Sequence, residues 1–422
     1  MKPTEKTKKN SSKVSSRLSL GERVPRLRFP GFEGEWENMR WGNLGLFFGG
    51  LTGKTKDDFG VGGSYFIPYM NVYKNIIADN KMLEPVNIRK EEKQNVVKYG
   101  DILLTQSSET IEEIGLASVW IDNNEPYLNS FCFAFRLNKE GMSPIWFSYL
   151  MRSYNVRKLI MREGQGITRV NLSSERLKSV ILKIPSLEEQ EKIASTLSLL
   201  DSRIAAQRKL VELLKKHKRG VQSAIFEGYL RVPCQGRERL AKWETIKIGN
   251  IFNERSERGG NADELLSVTI NFGVRRQSDT EKKDSSSEDK GNYKRVVAGD
   301  IVYNTMRMWQ GASGVSPWAG IVSPAYTVIY PKRNQNTIFW AYAFKHWRLV
   351  QTFQKFSQGL TSDTWNLKFP QLADIKVAMP SLDEQNVIVE FLSRLDARID
   401  VAERELVNLS ALKSGLLQQL FV

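Results

Sequence analysis

Two stretches of the chain place apolar residues at alternating steps of four and three, the spacing of a coiled-coil seam. They fall within residues 183–228 and 378–422. Each stretch predicts a helix of about 41 residues, about 60 Å long at 1.5 Å per residue. So long a helix needs a partner of similar length, and the other copy is the obvious candidate. The two seams are Ile193, Leu197, Leu200, Ile204, Gln207, Val211, Leu214, Lys218, Val221 and Ile225, and Ile388, Leu392, Leu395, Ile399, Ala402, Leu406, Leu409, Lys413, Leu416 and Leu420.

The entry to each helix is the same short motif. Pro-Ser-Leu-Glu-Glu-Gln at 185–190 recurs as Pro-Ser-Leu-Asp-Glu-Gln at 380–385. Ser186 followed by Glu189, and Ser381 followed by Glu384, have the spacing of a capping box. The similarity continues without a gap to the ends of both helices. A repeat of this length indicates two copies of a domain-sized unit rather than a solenoid.

Lys218 and Lys413 occupy the same position in the two seams. One interpretation is that a polar residue there fixes the register of the helix pair at a cost in stability. The other is that both lysines extend their ammonium groups out of the edge of the seam into solvent.

The segments before the helices also repeat, more loosely, and predict a mixed α+β structure. Short strands are predicted at 102–104, 130–137, 300–303 and 325–330, and helices are predicted to cover 144–162 and 337–356. Gly100-Asp101 and Gly299-Asp300 are typical of tight turns into a strand. The matching pieces are Trp36-Glu37 with Trp243-Glu244, Gly42–Leu44 with Gly249–Ile251, Gly100–Leu103 with Gly299–Val302, Ile145–Tyr149 with Ile338–Tyr342, and Gln165–Thr168 with Gln358–Thr361.

The pattern therefore predicts five segments. These are a basic, disordered tail at 1–22, a first mixed domain at 23–182, a long helix at 183–228, a second mixed domain at 229–377 and a second long helix at 378–422. Because the shared pieces form the scaffold while the sequence between them differs, the two domains are expected to bind two different ligands.

Charge and cysteine content narrow the class of protein. The chain has 62 Lys and Arg against 47 Asp and Glu, a net charge of +15, which favours a polyanionic partner. Residues 1–28 carry much of this charge, either as a solvated arm or as phosphate contacts. Cys132 and Cys234 are the only cysteines, which suits a reducing cytosol. No apolar run reaches the roughly 18 residues that a membrane span requires.

Motifs for catalysis are weak in this sequence. His217 and His346 are the only histidines, and their positions predict neither a catalytic triad nor a zinc cluster. Gly53-Lys54-Thr55 resembles the end of a P-loop, but Phe48 stands where that motif requires glycine. The glycines at 60, 62 and 63 match no cofactor-binding spacing and predict a flexible turn.

Loops rich in aromatic, amide and basic side chains remain as candidate contacts to DNA. Arginine pairs with guanine, asparagine and glutamine pair with adenine, and lysine or threonine binds phosphate. Any one of these residues can equally be an ordinary solvated loop residue. The predicted DNA-binding residues are Lys54, Thr55, Lys56, Tyr69, Asn71, Tyr73, Lys74, Gln106, Ser107, Gln165, Thr168, Arg169, Arg275, Arg276, Asn304, Arg307, Trp309, Gln310, Gln358, Thr361 and Trp365.

Together these features resemble the specificity subunit of type I restriction-modification systems. The resemblance rests on Arg26–Phe32, on Trp36, on the Gly-Asp-Ile strand starts and, above all, on the two helix entries. It implies two target recognition domains alternating with two long helices that pair as an antiparallel coiled coil. The coiled-coil residues would space the domains and dock two methyltransferase (M) subunits and restriction (R) subunits. These residues are Ile193, Leu197, Leu200, Ile204, Leu214, Lys218, Ile388, Leu392, Leu395, Ile399, Leu409 and Lys413.

The resemblance also implies a subunit that is not itself an enzyme. Each domain would bind one half of a bipartite site on double-stranded DNA, while S-adenosylmethionine, ATP and Mg²⁺ would be used by the partner subunits. Two other interpretations stay open at the level of sequence. One is a coiled-coil adaptor whose paired domains bind proteins, and the other is a nuclease or methyltransferase whose motifs are hidden.

Overall fold

The computed structural model describes residues 24–233, 242–260, 262–270, 273–280, 286–332 and 334–422. The predicted tail at 1–22 lies outside the described residues, as does Cys234. The chain forms two compact units. The first comprises residues up to Ala206 together with 405–422, and the second comprises residues 207–404. Each unit contains one mixed domain and part of both long helices.

The first unit is built on a four-stranded antiparallel sheet in the order β2-β9-β5-β7. Three smaller sheets, β4-β3-β8, β1-β11 and β10-β6, surround it. The strands are β1 (Glu37–Arg40), β2 (Gly45–Gly49), β3 (Phe59–Ile67), β4 (Glu84–Val86), β5 (Ile102–Thr105), β6 (Ser107–Ser108), β7 (Ala117–Val119), β8 (Tyr127–Leu128), β9 (Cys132–Leu137), β10 (Val170–Asn171) and β11 (Ile181–Ile184). The helices are α1 (Tyr69–Lys74), α2 (Pro144–Arg152), α3 (Tyr154–Arg162), α4 (Ser174–Leu177) and α5 (Leu187–Phe226).

The second unit repeats this plan with the sheet β13-β20-β17-β18 and the pair β12-β21. Two further antiparallel pairs, β14-β15 and β16-β19, complete it. The strands are β12 (Glu244–Lys247), β13 (Phe252–Glu254), β14 (Leu266–Thr269), β15 (Gly273–Arg276), β16 (Lys294–Val296), β17 (Ile301–Asn304), β18 (Ser313–Val315), β19 (Gly320–Val322), β20 (Tyr326–Pro331) and β21 (Lys376–Met379). The helices are α6 (Ile248–Ile251), α7 (Thr337–Phe344), α8 (Trp347–Phe356), α9 (Phe369–Asp374) and α10 (Leu382–Gln419).

The predicted helical stretches at 144–162 and 337–356 are confirmed, and each consists of two helices separated by a short break. Ser153 is extended (φ −69°, ψ 151°), and its hydroxyl donates to the carbonyl of Leu150 at 2.7 Å. His346 is likewise extended (φ −72°, ψ 134°) before α8. Because one extended residue redirects the chain, both helices of each pair present an apolar side to the same core.

The predicted strands and the Gly-Asp turns are confirmed, with boundaries shifted by one or two residues. Gly100 and Gly299 adopt positive φ (88° and 94°), the region in which glycine is favoured. The long helices begin later than predicted, because residues 181–184 and 376–379 are strands that pair with β1 and β12.

The helix-entry motif ties three parts of the first unit together. Ser186 accepts a hydrogen bond from the Glu189 amide at 3.4 Å, so the hydroxyl half of the predicted capping box is present. The Glu189 carboxylate, however, receives Nε and Nη2 of Arg28 at 2.9 and 2.8 Å. The buried Gln190 amide accepts from the Ser143 main chain at 2.9 Å and thereby fixes the start of α2.

The second copy of the motif makes the same contacts with different partners. The Ser381 hydroxyl accepts from the Glu384 amide at 3.3 Å, and Arg231 donates to both carboxylate oxygens of Glu384 at 2.8 and 2.9 Å. The buried Gln385 side chain accepts from the Asn336 amide at 3.0 Å at the start of α7. The repeated motif therefore joins each long helix to its own domain.

Within the first unit, the beginning of α5 and the end of α10 run antiparallel. Asp201 pairs with Lys413 at 2.5 Å, and Arg203 pairs with Glu405 at 3.1 Å. The Tyr149 hydroxyl from α2 donates to the other oxygen of Asp201 at 2.8 Å. Lys413 is thus neither an unpaired polar residue in the seam nor extended into solvent.

Within the second unit, the end of α5 and the beginning of α10 repeat this arrangement with the helices exchanged. Lys218 pairs with Asp396, whose second oxygen accepts from the Tyr342 hydroxyl at 2.6 Å. Gln207 donates to the Ala402 carbonyl at 2.9 Å. The predicted seams are buried or half-buried in both units, and the predicted pairing of α5 with α10 is confirmed.

Across the residues that the structure describes, none of the helices is long and apolar enough to span a membrane.

Candidate nucleic-acid interface

In the first unit, two of the predicted contact loops lie side by side. β6 pairs with β10, so that Ser107 lies opposite Asn171. The Gln106 amide donates to the Phe131 carbonyl, and the Leu172 amide donates to the Gln106 carbonyl, both at 2.8 Å. These main-chain bonds bring Gln106 and Ser107 next to the loop that contains Gln165, Thr168 and Arg169.

A pair of tyrosines from α1 joins this group. The rings of Tyr69 and Tyr73 are stacked, with centroids 6.2 Å apart. The Tyr73 hydroxyl donates to one carboxylate oxygen of Glu113 at 3.1 Å, and Ser108 donates to the other. The hydrogen bond to Glu113 raises the pKa of Tyr73. Glu113 was not predicted from the sequence, because nothing in its spacing marks it.

Arg169 and Phe131 form an exposed contact at the edge of the same cluster. The guanidinium carbon of Arg169 lies 5.5 Å from the ring centroid of Phe131, which is half exposed. Phe131 was also missed, since it lies inside a predicted strand. An arginine held over an aromatic face keeps its outer N–H groups available to a ligand.

α1 is held in place by one buried cation. Arg152 donates to the main-chain carbonyls of Val72, Tyr73, Asn75 and Ala117 at 2.6–3.0 Å. Burial lowers the pKa of this guanidinium to about 10. Arg152 therefore positions the tyrosine pair through the main chain of α1.

Two of the predicted contact residues have structural roles instead. The Lys54 side chain is almost fully buried and pairs with Glu92 at 2.5 Å. Asn71 is fully buried, and its amide side chain exchanges two hydrogen bonds of 2.8 Å with the main chain of Asp79. Neither side chain is available to a ligand, so neither is a DNA contact in the function proposed below.

The remaining predicted residues of the first unit are on the surface. The Thr55 hydroxyl donates to the Asp58 carboxylate at 3.1 Å and caps a short helical turn, so this side chain has a structural role. Lys56 and Lys74 are exposed, as are Gln165, Thr168 and Arg169.

In the second unit, equivalent main-chain bonds bring together the loops at 304–310 and 358–366. The Thr305 amide donates to the Ala325 carbonyl at 3.2 Å, and the Leu367 amide donates to the Thr305 carbonyl at 2.9 Å. Trp309 and Trp365 meet edge to face across these loops, with ring centroids 5.3 Å apart. The tryptophan pair occupies this loop cluster much as the tyrosine pair occupies the first.

The polar residues of this second cluster are largely exposed. Arg307, Gln310, Gln358 and Thr361 lie on the surface, and the half-buried Asn304 accepts from the Met306 amide at 3.0 Å. The remaining predicted pair, Arg275 and Arg276, lies on the exposed end of β15. The Arg276 guanidinium lies 5.4 Å from the centre of the Trp318 ring.

The described part of the chain offers no metal site. No group of three or more His, Cys, Asp or Glu side chains among them could hold a metal ion. His217 is exposed on α5, whereas His346 is buried beside Glu227 at 3.5 Å. Burial raises the pKa of the Cys132 thiol, so that this cysteine stays protonated at neutral pH.

Comparison with known proteins shows the family to which this chain belongs. The model of the type I restriction modification DNA specificity domain matches residues 33–216 and again residues 241–410. The chain belongs to this family. It is a specificity subunit with two DNA recognition domains, and such subunits assemble with methyltransferase and restriction subunits.

The relatives include two type I restriction enzyme specificity subunits. The MjaVIII subunit of Methanocaldococcus jannaschii is 23% identical over 416 residues, covering 92% of each chain. The StySPI subunit of Salmonella potsdam is 25% identical over 220 residues, covering 49% of this chain and 47% of that protein.

Solved structures of specificity subunits have the same fold. The S subunit from M. genitalium superposes with a TM-score of 0.56 at 16% identity, covering 94% of this chain and 99% of that one. The subunit from Thermoanaerobacter tengcongensis gives a TM-score of 0.51 at 15% identity, covering 92% and 96%.

Proposed function

We propose that each unit of this specificity subunit contacts one half of a bipartite site on double-stranded DNA through its loop cluster. The observation that supports this most directly is that one scaffold carries two chemically different surfaces. The first cluster presents the Tyr69–Tyr73 pair with Arg169, and the second presents the Trp309–Trp365 pair with Arg307. Two such surfaces would select two different half-sites.

The side chains of each cluster suit base edges and phosphates. Gln106 and Gln165 could pair with adenine, while Arg169, Arg276 and Arg307 could pair with guanine. The exposed lysines at 56 and 74 would bind phosphates and orient the domain without adding sequence information.

The long helices would set the spacing between half-sites and bind the methyltransferase subunits. The pairing of α5 with α10 leaves large apolar side chains exposed on the outer surface of the helices in each unit. Leu199, Val407 and Leu412 are 73%, 66% and 53% exposed in the first unit, and Leu213 and Val401 are 53% and 57% exposed in the second. Such residues are typical of a surface that a partner helix covers.

Catalysis would belong to the partner subunits in this arrangement. Two methyltransferase subunits would transfer methyl groups from S-adenosylmethionine to adenine, and restriction subunits would use ATP and Mg²⁺ for cleavage. This chain would select the DNA and hold the complex together.

Methylome sequencing tests the proposal directly. Cells that express this chain with its methyltransferase subunit should acquire methylated adenines in a bipartite motif with an unread spacer. A continuous motif, or no new methylation, would contradict it. Binding of the reconstituted complex to duplex DNA should also weaken steeply with salt, which a protein-binding adaptor would not show.

The spacing role has its own test. Seven residues inserted both after Ala206 in α5 and after Arg404 in α10 keep the antiparallel pairing in register. They lengthen each helix by about 10 Å, and so the spacer should grow by at most about three base pairs. The bases recognised should not change. An insertion in α5 alone is the control, because the Asp201–Lys413 and Lys218–Asp396 pairs can then no longer both form in one register, which should impair assembly.

A further inference from the structure

The two loop clusters share one feature that the difference between half-sites does not explain. Gln-Gly-Ile-Thr at 165–168 and Gln-Gly-Leu-Thr at 358–361 occupy equivalent places in the two units. The aliphatic residue of each, Ile167 or Leu360, is fully exposed, at 104% and 101% of its reference area. A single exposed aliphatic residue is common on protein surfaces, but this one recurs at the same place in both units.

Each of these aliphatic side chains lies on a closed loop. Gln165 and Asn171 exchange main-chain hydrogen bonds at 2.9 and 2.7 Å, and Gln358 and Asn366 do so at 2.8 Å in both directions. The loop is therefore held at both ends in each unit, and the aliphatic side chain lies at its tip.

The glycine before each aliphatic residue is required by the loop. Gly166 and Gly359 adopt φ of 125° and 141°. A Cβ at Gly166 would approach the Arg169 carbonyl oxygen to 1.9 Å, and one at Gly359 would approach the Thr364 carbonyl oxygen to 2.6 Å. This geometry turns the chain so that the following side chain projects outwards.

Exposed basic residues lie close to each loop in the sequence. Arg162 and Arg169 are near the first tip, and Lys355 and Lys368 are near the second loop, which also contains one exposed acidic residue, Asp363. The first loop pairs with β6 beside Gln106, and the second carries Trp365. An apolar tip with a basic rim is complementary to a groove between two rows of phosphates.

We propose that Ile167 and Leu360 enter the groove of the bound duplex and pack against the bases as apolar contacts. The inference rests on the proposed function. Aliphatic side chains of DNA-binding proteins pack against the thymine methyl group or between base pairs. Because the tip is the same in both units while the surrounding residues differ, the contact supplies affinity common to both half-sites rather than a difference between them.

The experiment uses the complex of the full chain with its methyltransferase subunit and a duplex that contains its methylated motif. Ile167→Ala and Leu360→Ala should each weaken binding about tenfold, since each removes methyl and methylene groups from a buried contact. The slope of affinity against salt should stay the same because no charge changes. Leu46→Ala is the matched control, since Leu46 is 67% exposed on β2 of the first unit and should have no effect.

The possible outcomes separate the inference from the proposed function. Unchanged affinity in both variants, with normal binding by the original complex, overturns the inference and leaves the proposed function intact. Loss of methyltransferase subunits from the variant complexes, measured by light scattering, would show that the tips contact protein, and overturns it as well. Failure of the original complex to bind its motif would overturn the proposed function and the inference together.

Discussion

The ion pair that Arg136 makes in the first unit should also form when the arginine is moved from β9 to the neighbouring strand β2. The second unit has its equivalent arginine at the position that corresponds to β2. In the first unit, Arg136 on β9 donates to both carboxylate oxygens of Asp101 at 2.8 and 2.6 Å. Its guanidinium carbon lies 4.8 Å from the ring centroid of Phe48 on β2. Asp101 lies directly before β5 and is buried, so the arginine neutralises a carboxylate inside the first unit.

In the second unit, the arginine and the aromatic residue have exchanged strands. Arg255, directly after β13, donates to both oxygens of Asp300 at 2.7 and 3.0 Å, and lies 4.7 Å from the ring of Tyr330 on β20. The sheet registers show that these positions are equivalent. Phe47 faces Phe135 in the first unit as Glu254 faces Ile329 in the second, and the next residue on each strand belongs to the exchanged pair.

The expected loss in the free energy of unfolding follows from the burial of Asp101, which is 1% exposed. Breaking a buried ion pair costs about 3–5 kcal/mol, and the partial exposure of Arg136 puts Arg136→Tyr near the lower end, at about 3 kcal/mol. Phe48→Arg alone should change stability by less than about 1 kcal/mol. The double variant should recover at least about half of the loss, giving a coupling energy of about 1.5 kcal/mol or more.

Hydrogen–deuterium exchange of peptides from β5 and β9 is the appropriate assay, because it measures the stability of this sheet separately from the second unit. The two single variants and the double variant are compared, with the peptide of β17 as an internal control. If the double variant exchanges as fast as Arg136→Tyr alone, the proposed equivalence of the two strands is wrong.

Three further predictions follow from single contacts. Gln190→Ala should destabilise the first unit by about 3 kcal/mol, since the buried amide bonds three main-chain groups, and chemical denaturation measures this. Acidification should destabilise the second unit below about pH 6.5, because burial holds the pKa of His346 low and only the unfolded chain takes up the proton. His346→Gln should remove the part of that dependence that lies above the titration range of the carboxylates, and thermal denaturation of the two proteins at a series of pH values measures this. Arg152→Lys should raise hydrogen exchange in α1 about tenfold, because lysine cannot reach four carbonyls; unchanged protection would contradict the positioning role.

Periodicity predicted the long helices well because it reflects local geometry. Apolar steps of four and three survive in a single sequence whatever the rest of the chain does, and they located α5 and α10 to within a few residues. The motif at each entry also gave the hydroxyl cap correctly, since that contact spans only three residues.

Contacts distant in sequence could not be predicted in this way. The partner of Glu189 is Arg28, 161 residues away, and nothing in the capping-box spacing indicates it. Asn71 and Lys54 failed as surface residues because their partners, Asp79 and Glu92, were not recognised in the sequence. In each case a polar side chain is bound by another part of the fold and is not available to a ligand.

The exchange of Arg136 for Arg255 refines the interpretation of the internal repeat. What the two units share is a buried aspartate that requires an arginine held on an aromatic ring, rather than an arginine at one position. An alignment of the two copies would score these positions as unrelated, although they serve the same ion pair. Some differences between the copies therefore preserve the same interaction and do not indicate different DNA contacts. By that criterion the tyrosine and tryptophan pairs still differ, and they are the first residues to exchange in changing a half-site.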